Sequence, residues 1–526
     1  MSQYDTVDRG PSSAAKPWKE RDVEGKEVAE PGPALACMLD DIRRIGTLLR
    51  GTAAMREAAR EYLPQHQYEG NDAYEKRLAV TYLDNYTLRT LNTLVGKAFK
   101  EPPQPGEAMP DPIVSLLDDV DDAGTGIVPF ARQWFRRGVE QAVAHCLVDM
   151  PALPDRPDGQ PRTLADDAKA GVRPHWRLIP AEDMLDIQVG KVTVFGETKV
   201  LPTLVRFRDD EVRPVGPFKS ELVQRVKVLR HDGSLVTWEA WELQKGPRGG
   251  KPKWVQVEGP SPFGLPLISI ASFYTNRTGV GEGRSELSDL AHLNVRHWQS
   301  TSDQTNALTV ARFPILAASG VRDAEGEGGG QIVVGPNKFL TTPDPQSKIY
   351  FVEHNGTAID KGKDELERLE QAMASYGAAF LKKGAQGPET ASGRVLDEGE
   401  AISPLQAWGL DFKDCLELCG WYTALWLGLG EETEAPFDFE IEADVNLADP
   451  AELGWLTAAR AKGDISREAS IDEAKRRGIL PEDFDIEADA ERIAAEPPPP
   501  GTGLDGMGAG LNGAKPPTKK APPPPK

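Results

Sequence analysis

Seven histidines, four cysteines and a surplus of carboxylates are the side chains of this 526-residue sequence that could do chemistry. Their spacing points to little of it. His66, His145, His175, His231, His292, His297 and His354 are scattered, with no H-E-x-x-H or comparable metal spacing. Cys37, Cys146, Cys415 and Cys419 show no disulfide framework and read as reduced thiols. Cys415 and Cys419 stand one helical turn apart, which suits core packing better than a metal site lacking further ligands. Asp118, Asp119, Asp121 and Asp122 before Gly124 have the look of a calcium loop. Phe130 stands where the closing bidentate Glu belongs, so a solvated turn is expected. Gly279, Gly281 and Gly283 miss the G-x-G-x-x-G spacing, and no P-loop Lys-Ser/Thr follows. Gly508, Gly510 and Gly513 precede Lys515, but Pro516 follows it. There is no G-x-S-x-G elbow and no Cys/His pair with a familiar local signature. A carboxylate–metal nuclease stays open as an alternative because acids abound, yet no one pair stands apart from a solvated acidic surface. No catalytic residue, cofactor or metal is expected, and the chain is read as a non-enzyme.

With no reactive constellation to position, the organising elements are two long helical stretches over 285–381, joined by a compact β insert. The first, Ser285–Arg312, is predicted to be about 40 Å long at roughly 1.5 Å per residue. Ser285 suits an N-cap, and Glu286 and Asp289 suit the positive helix end. Leu287, Leu290 and Leu293 make an early apolar face. Gln299, Ser300, Thr301, Ser302, Asp303, Gln304 and Asn306 then follow, too polar for an ordinary core helix. In the second, Asp360 to about Leu381, the residues Leu366, Leu369, Met373, Tyr376 and Phe380 alternate spacings of three and four. That is a seam for another helix. Between them Ile315–Ala318, Gln331–Val334, Lys338–Thr341 and Lys348–Val352 read as short strands separated by Gly and Pro turns.

A net charge of −21 argues against an extended basic surface for nucleic acid, though not against local basic rings. Hydrophobic content of 39% and charged content of 27% fit a soluble globular protein of two to four domains. No apolar run approaches the roughly 18–20 residues of a membrane span, and the N-terminus lacks a signal-peptide core, so no membrane role is expected.

In chain order, residues 1–36 read as a polar arm. Cys37–Leu63 is predicted helical, broken near Gly46 and Gly51 and stopped by Pro64. Asp72–Phe99 is predicted as one helix ended by Pro102 and Pro103, its Tyr74, Tyr82 and Tyr86 serving packing rather than binding. Phe130–Leu147 is expected to be an amphipathic helix. From His175 the period becomes two, giving strands at Trp176–Ile179, Leu201–Phe207, Leu222–Leu229, Leu235–Leu243, Trp254–Glu258 and Leu267–Tyr274, with a hairpin turn at Asp232-Gly233. Glu389–Leu429 is predicted as a third long helix, kinked at Gly399 and Pro404 and buried in its C-terminal half. Phe437–Val445 reads as a strand. Short helices are predicted over Ala451–Lys462, Ser466–Arg477 and Asp483–Ala495, and a disordered Pro/Gly-rich tail over 496–526. There is no internal repeat. The class is α+β.

The order of these segments resembles the portal proteins of tailed bacteriophages. "LLRGTAAMREAAREYLP" (Leu48–Pro64) and "YEKRLAVTYLDNYTLRTLNTLVGKAFKEPP" (Tyr74–Pro103) look like the N-terminal helices of one portal subgroup. "GRSELSDLAHLNVRHWQSTSDQTNAL" (Gly283–Leu308) looks like the start of the first stem helix, and "DELERLEQAM" (Asp364–Met373) like the second. "PETASGRVLDEGEAISPLQAW" (Pro388–Trp408) looks like the loop and kinked helix beside the channel. The resemblance implies a portal-type subunit: wing (37–284, helical over 37–150 and β-rich over 170–275), stem helices (285–312 and 360–381), clip (313–359), channel loop with long kinked helix and wing strand (382–450) and helical crown (451–495). It implies a homo-oligomeric ring, usually of twelve subunits, at one capsid vertex of the virion, assembled in the host cytoplasm. It also implies a conduit for packaging and ejecting viral double-stranded DNA. Its implied partners are the terminase large subunit, the major capsid and scaffolding proteins and the head–tail adaptor; another capsid connector or scaffold protein is the further alternative. Lys382, Lys383, Gln386, Glu389 and Arg394 become candidates to face the channel and DNA. Leu366, Leu369, Met373, Tyr376 and Phe380 become the stem packing. Repeated around a ring, Lys382 and Lys383 could touch phosphates weakly, or they could simply cap the negative end of their helix.

Overall fold

The computed structural model describes residues 23–151, 172–245, 251–312, 315–319, 348–352, 357–379 and 403–441, with isolated positions at 460, 462, 466 and 469–471. The chain divides into two units, Met1–Ala443 and Asp444–Lys526. In the second, Ser466 opens a helical turn: its Oγ accepts the Ala469 N–H at 3.0 Å and its carbonyl the Ser470 N–H at 3.1 Å.

The first unit begins with helices α1 (Pro33–Leu49), α2 (Thr52–Ala58), α3 (Asn71–Val80) and α4 (Tyr86–Ala98). The short strand β1 (Gln104–Pro105), α5 (Asp111–Val114) and α6 (Ile127–Gln141) follow. Gly46 does not break α1: Leu35, Met38, Ile42 and Ile45 bury one face, and that burial outweighs the roughly 1 kcal/mol propensity penalty of a helical Gly. The break comes at Gly51, whose φ of 83° few other residues adopt. The single helix predicted over Asp72–Phe99 is two. Thr81 turns extended at ψ 134°, its carbonyl accepts two bonds from Arg56 at 3.0 and 2.8 Å, and Asn85 caps α4 through the Leu88 N–H.

The helix predicted over Phe130–Leu147 stops at Ala142, φ 71°, and the chain becomes strand β2 (Val143–Asp149). Every residue of β2 is buried, so it lacks the alternation that marks a half-exposed strand. β3 (His175–Pro180), β4 (Met184–Val194), β5 (Glu197–Arg208), β6 (Glu211–Gly216), β7 (Lys219–Val223), β8 (Arg225–His231), β9 (Val236–Gln244), β10 (Lys253–Pro262) and β11 (Ile270–Tyr274) complete the β region. The expected strand Leu222–Leu229 is thus split between β7 and β8, and β4 was not anticipated. At the Asp232-Gly233 turn the Asp232 carboxylate accepts the N–H groups of Ser234 and Leu235 at 2.8 and 2.9 Å.

Two antiparallel sheets result, ordered β11-β2-β3 and β10-β9-β8-β5-β4. Ala144, Cys146, Val148, Ala271 and Phe273 turn one face of the smaller sheet to the helices. Leu147, Ile179 and Ile270 turn the other face to Val205, Phe207, Leu229 and Val236 of the larger sheet.

A small hairpin, β12 (Arg277–Gly279) with β13 (Glu282–Gly283), leads into α7 (Ser288–Ala311). Strands β14 (Ile315–Ser319) and β15 (Lys348–Val352) pair antiparallel, and α8 (Thr357–Ala379) follows. The other two strands expected in this insert lie outside the described residues. Pro404 begins rather than kinks the next helix, α9 (Pro404–Trp426). Ser403 and Gln406 form a capping box around its first turn, where Pro is tolerated because its missing N–H would have no partner. Residues 389–402, expected as its first part, lie outside the described residues. Phe412 of α9 is fully buried at the centre of the core, its ring 5.0 Å from Phe273, 5.2 Å from Trp134 and 5.4 Å from Phe135. The predicted strand at Phe437 is described only as β16 (Phe437–Asp438), paired with β1.

Candidate functional site: the paired long helices

Helices α7 and α8 run antiparallel. Tyr376 donates its O–H to the Glu286 carbonyl at 2.9 Å, Arg296 meets Glu365 at 2.9 Å, and Gln304 donates to the Ile359 carbonyl at 2.8 Å. Leu369 and Met373 are buried in the core of their own chain, whereas Leu366 and Tyr376 are half-buried. Phe380, Lys382, Lys383, Gln386, Glu389 and Arg394 lie outside the described residues.

The polar half of the first helix, too polar for an ordinary core helix, is nevertheless partly covered by its own chain. Several of its polar groups, with Asn294 before them, are matched within the chain. Asn294 accepts from the backbone and hydroxyl of Thr87, each at 3.1 Å, and donates to the Asp84 carbonyl at 2.8 Å. Gln299 donates to the Tyr62 carbonyl at 2.9 Å. Ser302 is buried 2.9 Å from the Thr81 hydroxyl and accepts from Arg77 at 3.2 Å. Arg77 is the hub: its guanidinium also grips both oxygens of Glu69 at 2.7 Å and the Pro64 carbonyl at 3.1 Å. That bidentate grip holds the Glu69 carboxyl down at about 2. The Ser285 hydroxyl accepts the Leu287 N–H at 3.2 Å, a capping contact, and donates to the Val139 carbonyl at 3.1 Å, tying the helix start to α6. His297 Nδ1, Trp298 Nε1 and Thr301 Oγ1 are buried with no hydrogen-bond partner among the described residues.

The outward face of α8 is charged. Lys361 pairs with Asp364 at 3.0 Å and Lys363 with Glu367 at 3.5 Å, all four exposed. Toward the strand pair, Asn306, Thr309, Arg312, Thr357 and Asp360 are also exposed. The pair is therefore rooted in the core at one end and exposed at the end that carries β14 and β15.

Elsewhere the reactive side chains are occupied. A cavity of about 420 Å³ gathers Asp149, Asp209 and Glu258. Lys227 and Arg177 hold the first two, and Arg225 meets Glu258 at 2.8 Å, so each carboxylate already has a cation. In the acidic turn, Asp119 accepts the Gly124 N–H at 2.8 Å and meets Arg173 at 2.6 Å, while Asp121 accepts the Ala123 and Thr125 N–H groups. Burial pushes the Cys415 and Cys419 thiols far up, which leaves them protonated and unreactive. Among the described residues no group of three or more His, Cys, Asp or Glu could hold a metal ion, and no helix is long and apolar enough to cross a membrane.

Residues 286–427, from the start of α7 through α9, match the model of a domain of unknown function, DUF4055. No match is found among curated protein sequences. Among solved structures the chain is similar, at TM-score 0.36 and 12% identity, to a chain of the virion of a native gene transfer agent particle, with 81% of this chain and 98% of that one covered. It is similar, at TM-score 0.36 and 12% identity, to a chain from the neck of an empty particle of this kind computed with C6 symmetry, covering 75% and 89%. A chain from the neck of a native particle computed with C12 symmetry gives TM-score 0.34 and 12% identity, covering 73% and 88%.

Proposed function

We propose that this chain is a portal-type structural subunit of a tailed-phage-like virion, without catalytic activity of its own. Identical copies, twelve on this reading, close into a ring at one capsid vertex and form a conduit for double-stranded DNA. One observation carries the proposal: an antiparallel helix pair, rooted in the core through Leu369, Met373 and Trp298, that presents a β pair at its exposed end. The body is then the wing, the helix pair the stem and the insert the clip. The clip takes the terminase large subunit during packaging and the head–tail adaptor afterwards, while the wing faces the capsid and scaffolding proteins. Lys382, Lys383, Gln386, Glu389 and Arg394, between the second stem helix and α9, are the proposed channel-facing residues.

The test is electron microscopy of the purified full chain, with its particle mass. Annular particles with a central hole, their mass a whole multiple of the chain, are the expected result. A monomer at every concentration overturns the proposal. Mg²⁺-dependent DNA cleavage abolished by one Asp or Glu substitution would instead favour the nuclease alternative.

A further inference from the structure

Strands β6 and β7 form a sheet of their own, a hairpin bonded to no other strand among the described residues. Two strands alone are marginally stable in water, so such a hairpin needs cover on its faces. One face has it. Arg213 binds Glu242 and meets Glu211 at 2.8 Å, and Arg225 meets Glu211 at 2.8 Å. The other face is apolar and bare. Val212 and Leu222 sit directly opposite one another, and Phe218 at the tip is 100% exposed. Lys219 beside it is exposed and has no carboxylate partner among the described residues.

A complementary surface exists on the same chain. The outward face of α9 exposes Leu410 (52%) and Leu418 at helical spacing, with Asp411 and Asp414 between them. Neither carboxylate meets a cation among the described residues. Burial, and then the neighbouring Asp414, raise the Asp411 carboxyl above its usual range. The hairpin thus offers an aromatic anchor with an adjacent cation, and α9 offers apolar side chains flanked by two carboxylates that form no ion pair among the described residues, the half-buried Lys413 between them included. Two hairpins meeting tip to tip would instead bring two Lys219 together.

We infer that the β6–β7 hairpin of one copy docks on the outward face of α9 in the next, Phe218 against Leu410 and Lys219 against Asp411 and Asp414. The contact is head-to-tail, the kind that repeats around a ring when the rotation closes. It rests on the ring reading above and names the surfaces that would make it.

The experiment uses full-length chains carrying Cys37→Ser, which removes the exposed native thiol. One chain carries Phe218→Cys and a second, of distinguishable length, carries Leu410→Cys. They are co-expressed and treated with a short bismaleimide. The expected product is a covalent dimer of one chain of each kind, with none when either variant is expressed alone. Phe218→Asp is expected to weaken self-association about tenfold or more, as loss of an aromatic anchor does, whereas Phe218→Leu retains it. Dimers of the Phe218→Cys chain alone, or intact rings with no mixed product, overturn this contact while leaving the ring standing. Absence of any ring in the unmodified chain overturns both readings together.

Discussion

Arg77 is almost wholly buried, with 2% of its side chain exposed, and a charge in that position survives only if every donor finds an acceptor. Glu69, Pro64 and Ser302 supply them, so one side chain fastens α3 to the middle of α7. Removing it strands the Glu69 carboxylate. Arg77→Ala is expected to destabilise the fold by about 3 kcal/mol or more, read from denaturant unfolding. Arg77→Lys recovers only part, because an ammonium cannot reproduce the planar fork. His145 makes a second case. It lies on β2, fully buried, 2.8 Å from Ser272, and burial lowers its imidazole to about 3. The folded chain keeps it neutral, whereas the unfolded chain protonates it near 6.5. Its contribution is therefore complete above about 6.5 and is lost as pH falls toward 3. Glu69, depressed from 4.5 to about 2, contributes above 4.5 and loses that as pH falls to 2. The His145 contribution begins to fall below pH 6.5, while Asp183, raised to about 6 by burial, acts in the opposite sense as pH falls from 6 to 3.8. His145→Gln should flatten the profile between 6.5 and 4.5 when melting temperature is followed against pH.

At the scale of elements, close approach is set by single residues. A Cβ on Gly138 of α6 would lie 2.3 Å from the Phe273 ring on β11, and that ring is wedged against Phe135 and Phe412. Gly138→Ala should cost about 1–3 kcal/mol, and adding Phe273→Leu should recover part of it, seen as a non-additive pair in thermal unfolding. The same scale separates what the sequence tells from what it hides. Period-two alternation located β3, β5, β9 and β10, and Asp232-Gly233 announced its turn, because a half-buried strand and a positive-φ turn write themselves locally. β2 is hidden within a predicted helix because it is buried on both faces and carries no alternation. The break between α3 and α4 was missed because it is held by Arg56, a residue more than 20 positions upstream, through tertiary bonds that no local pattern records. Pro404 reads as a kink within a long apolar pattern, yet the Ser403–Gln406 capping box makes it the first residue of its helix.

For the whole molecule, the polar stretch of α7 is too polar for an ordinary core helix, yet part of it finds partners within its own chain. Asn294, Gln299 and Ser302 are satisfied by α3 and the loops beside α3 and α4, so the polarity of the helix by itself says nothing of neighbouring copies. Leu369 and Met373 were visible as a seam from their spacing alone. That the seam closes on this chain's own core was not, since a heptad pattern does not say which helix answers it. The ring reading therefore stands on the exposed end of the helix pair. Because the pair is rooted by the core and not by its insert, replacing residues 313–356 with a short Gly/Ser turn should leave unfolding of the body within about 1 kcal/mol, the usual scale for a surface loop change. On the portal reading proposed above, the same variant should also lose co-purification with terminase or adaptor.

The Ser403–Gln406 cap has a consequence for engineering. A helix that specifies its own first turn needs no instruction from what precedes it. A foreign stretch spliced in ahead of Ser403 would leave along a heading already fixed by four residues, which makes this junction a ready graft point for a probe or tether.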